Sequence, residues 1–359
     1  MQEYSKLASS RASSKLTICN LVVGLDTASK KVCGDSLSFI QRFIMQVGMI
    51  LCLLPDVITL QEIRGKENKK IVREKLKEKG YESRFFHNND SDNTFYNCIG
   101  IRSSNFGKDC SWKEVGSKHY WTTIDDAGVP CLSENKDARI PAIPEKGVEG
   151  DEWGRCVGVT VLQHKTSLKK VIVASIHVVP FGETKVLQQK ACLSLANMTR
   201  GITGEAKDCP VIIAGDFNFF DEERKSKSFK DWEDYVLALN LRETPLKRME
   251  ISGINEKGVI EDESLIGTYT PWSTDKYAHV IYKQPLGYSK LNAIFASNEL
   301  QCKDGVTVQP ILMKHLNELS KMTPEEKKTG MDELRFRLKD ILASDHFLMS
   351  AEFTLSGHQ

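Results

Sequence analysis

The sequence predicts a layered α/β fold, and three observations carry that prediction. Short apolar runs bounded by turn residues recur along the chain, the plainest being Val211-Ile212-Ile213-Ala214 between Pro210 and Gly215, a pattern that fits strands buried on both faces. A stretch with helical apolar spacing separates the first two strands, as a layered α/β fold requires. Several strands end in polar groups at Asn20, Glu62, His177 and Asp216 with Asn218, and Asp345-His346 precedes the last strand.

Taken in order, residues 1 to 14 are polar and Ser-rich and read as a disordered leader; lacking an apolar run, they exclude an ordinary secretory signal. Residues 15 to 21 have strand character and carry Asn20. The stretch 37 to 54 is the most membrane-like, but Gln41, Arg42 and Gln46 interrupt it, and charge in hydrocarbon is costly. Its apolar residues Phe39, Ile40, Phe43, Ile44, Val47, Ile50 and Leu51 recur at helical spacing, so it is read as a helix packed on a sheet, with no integral membrane association. Pro55 to Glu62 repeats the opening pattern of turn, apolar strand and polar end. The helix expected over 63 to 79 carries Arg64, Lys66, Lys69, Lys70, Arg73, Lys75, Lys77 and Lys79. Such a run is ordinarily a solvated face; because it begins beside Glu62, a phosphate-approach surface is the competing reading.

Residues 81 to 86 and 97 to 102 read as short strands around a polar loop. The Gly-, Pro-, Asp- and Lys-containing stretch 103 to 155 reads mostly as loop and insertion around a few short strands. Strands return at 156 to 163 and 170 to 177, the latter ending in His177, and a helix over 187 to 198 leads to the strand at 211. On extended backbone Asp216 and Asn218 point the same way. A carboxylate that only accepts, beside a carboxamide that also donates, suits holding a water against a phosphoryl group. The same residues also fit a strand running into an Asx turn.

Beyond them, 229 to 239 is read as helical and 242 to 285 as irregular, with Tyr269 and Trp272 in Gly267-Thr268-Tyr269-Thr270-Pro271-Trp272. Aromatics there either stack on a base or pack the loop down. Residues 290 to 296 form another strand. Thr323-Pro324-Glu325-Glu326 has the form of a capping box with proline at the first helical position, and Met331, Leu334, Leu338, Ile341 and Leu342 supply that helix's apolar stripe. Residues 347 to 355 read as the last strand.

The 359 residues, 40% of them hydrophobic, suffice for a sizeable core. No repeat or second core is evident, so residues 15 to 359 are read as one domain with insertions near 103–155, 242–285 and 298–343. Forty-nine basic and 48 acidic residues nearly cancel, so no global field announces a nucleic acid or a membrane. Ten cysteines lack a CxxC spacing and read as reduced thiols, mostly core, in an intracellular (cytoplasmic or nuclear) protein.

In their order, Asn20, Gln61-Glu62, Ser175-Ile176-His177, Gly215-Asp216-Phe217-Asn218, Leu291-Asn292-Ala293-Ile294 and Ser344-Asp345-His346 resemble the motifs of the endonuclease/exonuclease/phosphatase (DNase I-like) superfamily, in the manner of tyrosyl-DNA phosphodiesterase 2 and DNase I-type nucleases. The resemblance spans nearly all of the chain. It implies a four-layer αββα sandwich, two mixed sheets face to face with helices outside. It further implies a phosphodiesterase or phosphatase dependent on a divalent metal, most often Mg²⁺, with Mn²⁺ as the alternative; separately, the chain is read as a monomer. Carried over residue by residue, Glu62 is the main metal ligand, with Asn20 and Asp345 near the metal or its water. Asp216 orients or deprotonates the attacking water, Asn218 positions the phosphate, and His177 and His346 stabilise the charge that builds on it. The pattern departs at Asn292, where the family usually has an aspartate that supports the final histidine; a carboxamide orients the ring without supplying negative charge.

For substrate, Arg64 after Gln-Glu-Ile, the basic run, and Tyr269 with Trp272 lean towards nucleic acid or a nucleotide-linked phosphodiester. An inositol-phosphate or phospholipid phosphoesterase is the second enzymatic reading. A weakened member that binds phosphorylated ligands or a protein partner without turnover is the third, with Asn292 its best argument.

Overall fold

The computed structural model describes residues 14–24, 39–88, 92, 94–103, 110–138, 155–180, 184–205, 208–219, 227–245, 253–254, 260–261, 292–305, 307–309 and 348–355. The first sheet has the order β14-β16-β1-β2-β4-β3, with β15 also on β16. Its strands are β1 (Ser14–Val22), β2 (Val57–Arg64), β3 (Tyr81–His87), β4 (Phe95–Arg102), β14 (Leu300–Cys302), β15 (Thr307–Gln309) and β16 (Leu348–Leu355). The second has the order β10-β13-β9-β8-β7-β5-β6, built from β5 (Trp112–Ile124), β6 (Pro130–Ser133), β7 (Cys156–His164), β8 (Lys170–His177), β9 (Val211–Asp216), β10 (Leu241–Glu243) and β13 (Asn292–Ser297). A small hairpin pairs β11 (Gly253–Ile254) with β12 (Ile260–Glu261).

Each sheet is mixed and has one parallel pair at its centre, β1 with β2 and β8 with β9. Parallel neighbours need a crossover. Helix α1 (Phe39–Leu53) lies in the first; α3 (Thr184–Leu193), a 3₁₀ turn at Ser194–Met198 and α4 (Thr199–Thr203) lie in the second. Helices α2 (Gly65–Glu78) and α5 (Lys227–Ala238) complete the set described.

The alternation of side chains along each strand explains the layering. Leu16, Ile18, Val57, Ile99 and Ile101 of the first sheet meet Leu162, Val171, Val173, Ile212, Ala214 and Ile294 of the second in one core between the sheets. Their sequence neighbours point outward: Cys19, Leu21, Ile58 and Leu60 join Phe39, Phe43, Val47 and Ile50 of α1 and Val72 and Leu76 of α2. On the far side Ile172, Ala174, Ile176, Val211 and Ile213 join Ala191 and Leu193 of α3 and Trp232 and Val236 of α5. Three apolar interfaces therefore stack four layers, helix, sheet, sheet and helix. A side chain such as Phe43, fully buried, contributes about 1.5–3 kcal/mol by leaving water.

Helix α1 takes the sequence-predicted position; Ile40 and Ile44 of its expected stripe are exposed. No helix among the described residues is long and apolar enough to cross a membrane. Two expectations need correction. The stretch 103 to 155, read mostly as loop with short strands, contains the 13-residue β5, which buries Trp112 at one end and Tyr120 to Thr123 at the other, with partly or fully exposed residues and a bulge between Glu114 and Gly116 in the middle. The helix expected over 187 to 198 begins earlier and breaks into three short pieces, because after Leu193 the chain tightens into a 3₁₀ turn. The eight cysteines whose side chains are described are free thiols, six of them buried, in line with the expected mostly core placement. The helix expected from Thr323 lies outside the described residues.

Candidate active site

The inner faces change character towards one end of the sandwich. The face that carries Leu16 and Ile18 on β1 continues to Asn20; on β2 it runs from Val57 to Thr59 and Gln61. In the second sheet Val171 and Val173 lead to Ser175 and His177, and Ile212 and Ala214 to Asp216. Antiparallel β13 starts at the same end with Asn292, opposite Asp216, which itself stands opposite His177. The carboxyl ends of both central parallel pairs thus lie at one end of the sandwich, the end of a sheet where α/β folds place ligands.

Glu62 joins these groups through a defect. The register between β2 and β4 shifts between Leu60 and Ile63, and Glu62 has a left-handed φ of 61°. The bulge lets Ile63 return to the outer core beside Leu60 while the Glu62 carboxylate turns towards the opposite sheet. A non-glycine residue held there costs about 1–3 kcal/mol, which the surrounding ladder must offset.

His177 stands between two carboxylates. Its Nε2 is 3.7 Å from Glu62 Oε1 and 3.8 Å from Asp216 Oδ2. Both separations exceed direct hydrogen-bond reach and lie within ion-pair range. Of the two sequence readings the structure takes the turn: β9 ends at Asp216, and Oδ1 accepts the Asn218 N–H at 2.8 Å in an Asx-type turn, so the two side chains do not share an extended strand face and Oδ2 is left on the histidine side. Asn218, at a left-handed φ of 52°, donates from Nδ2 to the Val178 carbonyl at 2.7 Å. Its carboxamide is thereby used to bind the exits of β8 and β9 together.

A buried polar face of α3 braces the same turn and was not singled out in the sequence. Lys185 donates to the Asn218 carbonyl at 3.0 Å and Gln189 to the Phe217 carbonyl at 2.7 Å, while Gln188 Oε1 accepts the Val179 N–H at 3.2 Å. The spacing i, i+3, i+4 on one helix face was the available signal.

Asn20 is fully buried. Its Oδ1 accepts from Thr59 Oγ1 at 2.7 Å and Gln61 Nε2 at 3.0 Å, and Gln61 Nε2 also donates to Ser175 Oγ at 3.0 Å across the sheets. Asn20 Nδ2 is buried with no hydrogen-bond partner. That orphan bears on the metal the resemblance implies. Carboxamide oxygen and nitrogen are interchangeable assignments, and with its oxygen at that end Asn20 would join Glu62 as a hard oxygen donor suited to Mg²⁺ or Mn²⁺. The donor chemistry fits. Among the described residues no three His, Cys, Asp or Glu side chains form a metal-holding group; Asp345, the further expected ligand, lies outside them.

Arg64 ends β2, its guanidinium 5.8 Å from the centre of the Phe95 ring, with Arg155 at the same distance from that ring. The basic run on α2 is partly taken up in docking the helix. Lys69 lies 4.5 Å from the Tyr96 ring centre and Arg73 5.2 Å from that of Phe85, Lys66 pairs with Asp92, and Lys75 with Glu78. Burial, with the charges of Arg73 and Lys66, holds the Lys69 ammonium below its usual range. The remaining expected site residues, Tyr269, Trp272, Asp345 and His346, lie outside the described residues.

Comparison with known proteins found no matching family model and no matching curated protein. Solved structures do match. An endonuclease/exonuclease/phosphatase family protein from Bacteroides thetaiotaomicron aligns with a TM-score of 0.59 at 16% identity, over 96% of this chain and 100% of the other. A mannosyl-6-phosphatase from the same organism aligns at 0.56 and 16%, over 94% and 99%. ANGEL2, a 2′,3′-cyclic phosphatase in complex with adenosine-2′,3′-vanadate, aligns at 0.53 and 13%, over 96% and 96%. At these identities the likeness establishes the fold, the DNase I-like α/β sandwich expected from the sequence.

Proposed function

We propose that this chain is a hydrolase of phosphoester bonds assisted by a divalent cation, and that its substrate is a nucleic acid or a nucleotide-type phosphodiester. The observation that carries the reading is the placement of His177 between Glu62 and Asp216 at 3.7 and 3.8 Å, at the carboxyl ends of strands from both sheets.

In this reading Glu62 and the carboxamide of Asn20 hold Mg²⁺, with Mn²⁺ as a substitute and Asp345 as the further expected ligand. The cation, when bound, supplies positive charge against the phosphate oxygens. Asp216 Oδ2, with Oδ1 tied to the turn, orients or deprotonates the attacking water. His177, joined by His346, donates to the non-bridging oxygens as charge builds on them. The backbone bonds from Lys185 and Gln189 keep Asp216 and Asn218 at a fixed depth. Asn292, buried opposite Asp216, gives the final histidine a neutral partner, which favours a slower enzyme than one with aspartate there.

The substrate class rests on Arg64 two residues after Glu62, on Tyr269 and Trp272 in the sequence, and on the fold shared with a 2′,3′-cyclic phosphatase. The shared fold with a mannosyl-6-phosphatase favours a sugar phosphate as the alternative. The test is a hydrolysis panel of single- and double-stranded DNA, RNA, a 2′,3′-cyclic nucleotide, a 5′-tyrosyl oligonucleotide, inositol phosphates, a sugar 6-phosphate and sphingomyelin, with and without Mg²⁺. Fastest turnover of a nucleotide phosphodiester is expected. Fastest turnover of the sugar phosphate, an inositol phosphate or the lipid would replace the substrate class, and no turnover of any would leave a ligand-binding protein.

A further inference from the structure

Two buried carboxamides beside the site have complementary loose ends. Asn20 and Gln61 are both fully buried, and among their polar atoms Asn20 Nδ2 and Gln61 Oε1 lack a partner. The atoms between them form a chain that reads in either direction. In one direction Thr59 Oγ1 and Gln61 Nε2 donate to Asn20 Oδ1, Gln61 Nε2 donates to Ser175 Oγ, and the Ser175 hydroxyl donates to the Leu60 carbonyl at 3.4 Å. Turn both carboxamides over and the same contacts survive reversed. Asn20 Nδ2 then donates to Thr59 Oγ1 and Gln61 Oε1, Ser175 donates to Gln61 Oε1, and the Thr59 hydroxyl turns to the Cys19 carbonyl, 3.3 Å away. The number of bonds is the same in both directions. What changes is the atom left over: a donor nitrogen on Asn20 in the first, an acceptor oxygen in the second.

Turning one carboxamide alone would face nitrogen against nitrogen or oxygen against oxygen at the 3.0 Å contact between them, so the two must turn together. A cation accepts only the oxygen. We propose that Asn20 and Gln61 are a coupled amide pair, that a divalent cation at Glu62 selects the direction exposing the Asn20 oxygen, and that Gln61 is therefore a positioning residue acting through Asn20. This rests on the proposed cation-assisted chemistry. It extends it by assigning the orientation of one ligand to a residue that touches neither metal nor substrate, and through Ser175 to the opposite sheet.

The test is Mn²⁺ affinity of the full chain by calorimetry, with folding of each variant checked by thermal unfolding without metal. Gln61→Met removes the lock without changing charge and is expected to weaken Mn²⁺ binding roughly 10- to 100-fold, the usual effect of losing a group that orients a ligand. Gln61→Glu supplies two acceptors, which only the cation-selected direction can use, and is expected to bind at least as tightly as wild type. Because its added charge attracts cations by itself, it is repeated in an Asn20→Ala background. A gain that disappears there supports action through Asn20, and a gain that persists overturns the coupled pair. Equal affinity of Gln61→Met and wild type would also overturn it, while Mn²⁺ binding lost in Glu62→Gln would leave the cation-assisted reading standing. Absence of Mn²⁺ binding by wild type would sink both.

Discussion

Gly215→Ala tests whether the two central strands of the second sheet hold the site in place. Gly215 has a φ of 157°, and a Cβ added there would lie 2.0 Å from the Ile176 carbonyl oxygen and 2.8 Å from Ile176 Cγ1. The first contact is backbone, more than about 1 Å inside ordinary van der Waals separation, so no rotamer change relieves it. Ile176 is the register partner of Gly215, and the next pair is His177 with Asp216. Relief therefore requires prising β8 from β9 beside the His177–Asp216 pair. Overpacking contributes about 1–3 kcal/mol and the unfavourable φ about 1–3 kcal/mol more, giving an expected loss of about 2–6 kcal/mol in urea unfolding. A displacement of about 1 Å between His177 and Asp216 is expected to lower turnover of the folded variant about 100-fold. Unfolding and activity curves that superpose on those of wild type would refute the reasoning.

Other predictions concern the rest of the molecule. A Cβ at Gly158 would lie 2.0 Å from Phe86 Cδ2 across the sandwich; Gly158→Ala is expected to cost about 1–3 kcal/mol, with recovery when combined with Phe86→Leu, both read by chemical denaturation. Arg102 and Asp56 form an ion pair about nine-tenths buried, and Asp56 Oδ2 also accepts the Thr17 N–H at 2.9 Å. Arg102→Leu should cost about 3–5 kcal/mol by stranding the carboxylate, and Asp56→Asn added to it should recover part of the loss. Burial pushes the thiols of Cys156 and Cys209 up to about 12 and raises those of Cys19, Cys98 and Cys192 as well. Above the unfolded thiol value the unfolded chain loses protons that the folded chain keeps, so stability should be full below about pH 9 and fall as pH rises towards 12, by up to about 1.4 kcal/mol per thiol per pH unit; equal stability at pH 8 and 10 would contradict this. Asn292→Asp should speed turnover at neutral pH by supplying charge to the final histidine, and an unchanged or lower rate would remove that explanation.

Much of the site was legible because the cues were local and periodic. Runs such as 171 to 174 and 211 to 214 marked buried strands, and the period of two placed Asp216 on the same face as Ile212 and Ala214. The order of polar strand ends then carried the fold resemblance. What was missed depends on contacts distant in sequence or on backbone geometry. Nothing in Leu60-Gln61-Glu62-Ile63 announces the bulge that aims Glu62, because it is defined by pairing with β4. β5 hides its strand period behind lysines, a glutamate and a bulge. The bracing face of Lys185, Gln188 and Gln189 reads as an ordinary polar helix until the carbonyls of Phe217 and Asn218 are placed against it.

The central claim is that Asp216 and its neighbours hydrolyse a phosphoester, and it is tested most directly by comparing kcat/KM of wild type and Asp216→Asn on the fastest substrate of the panel, in Mg²⁺ and after chelation. The substitution preserves shape and the turn bond from Asn218 while removing the charge facing His177. A fall of about 10²–10⁴-fold in the folded variant, with chelation abolishing wild-type turnover, is the predicted result. Equal rates for the two proteins, or wild-type turnover indifferent to chelation, would contradict the account.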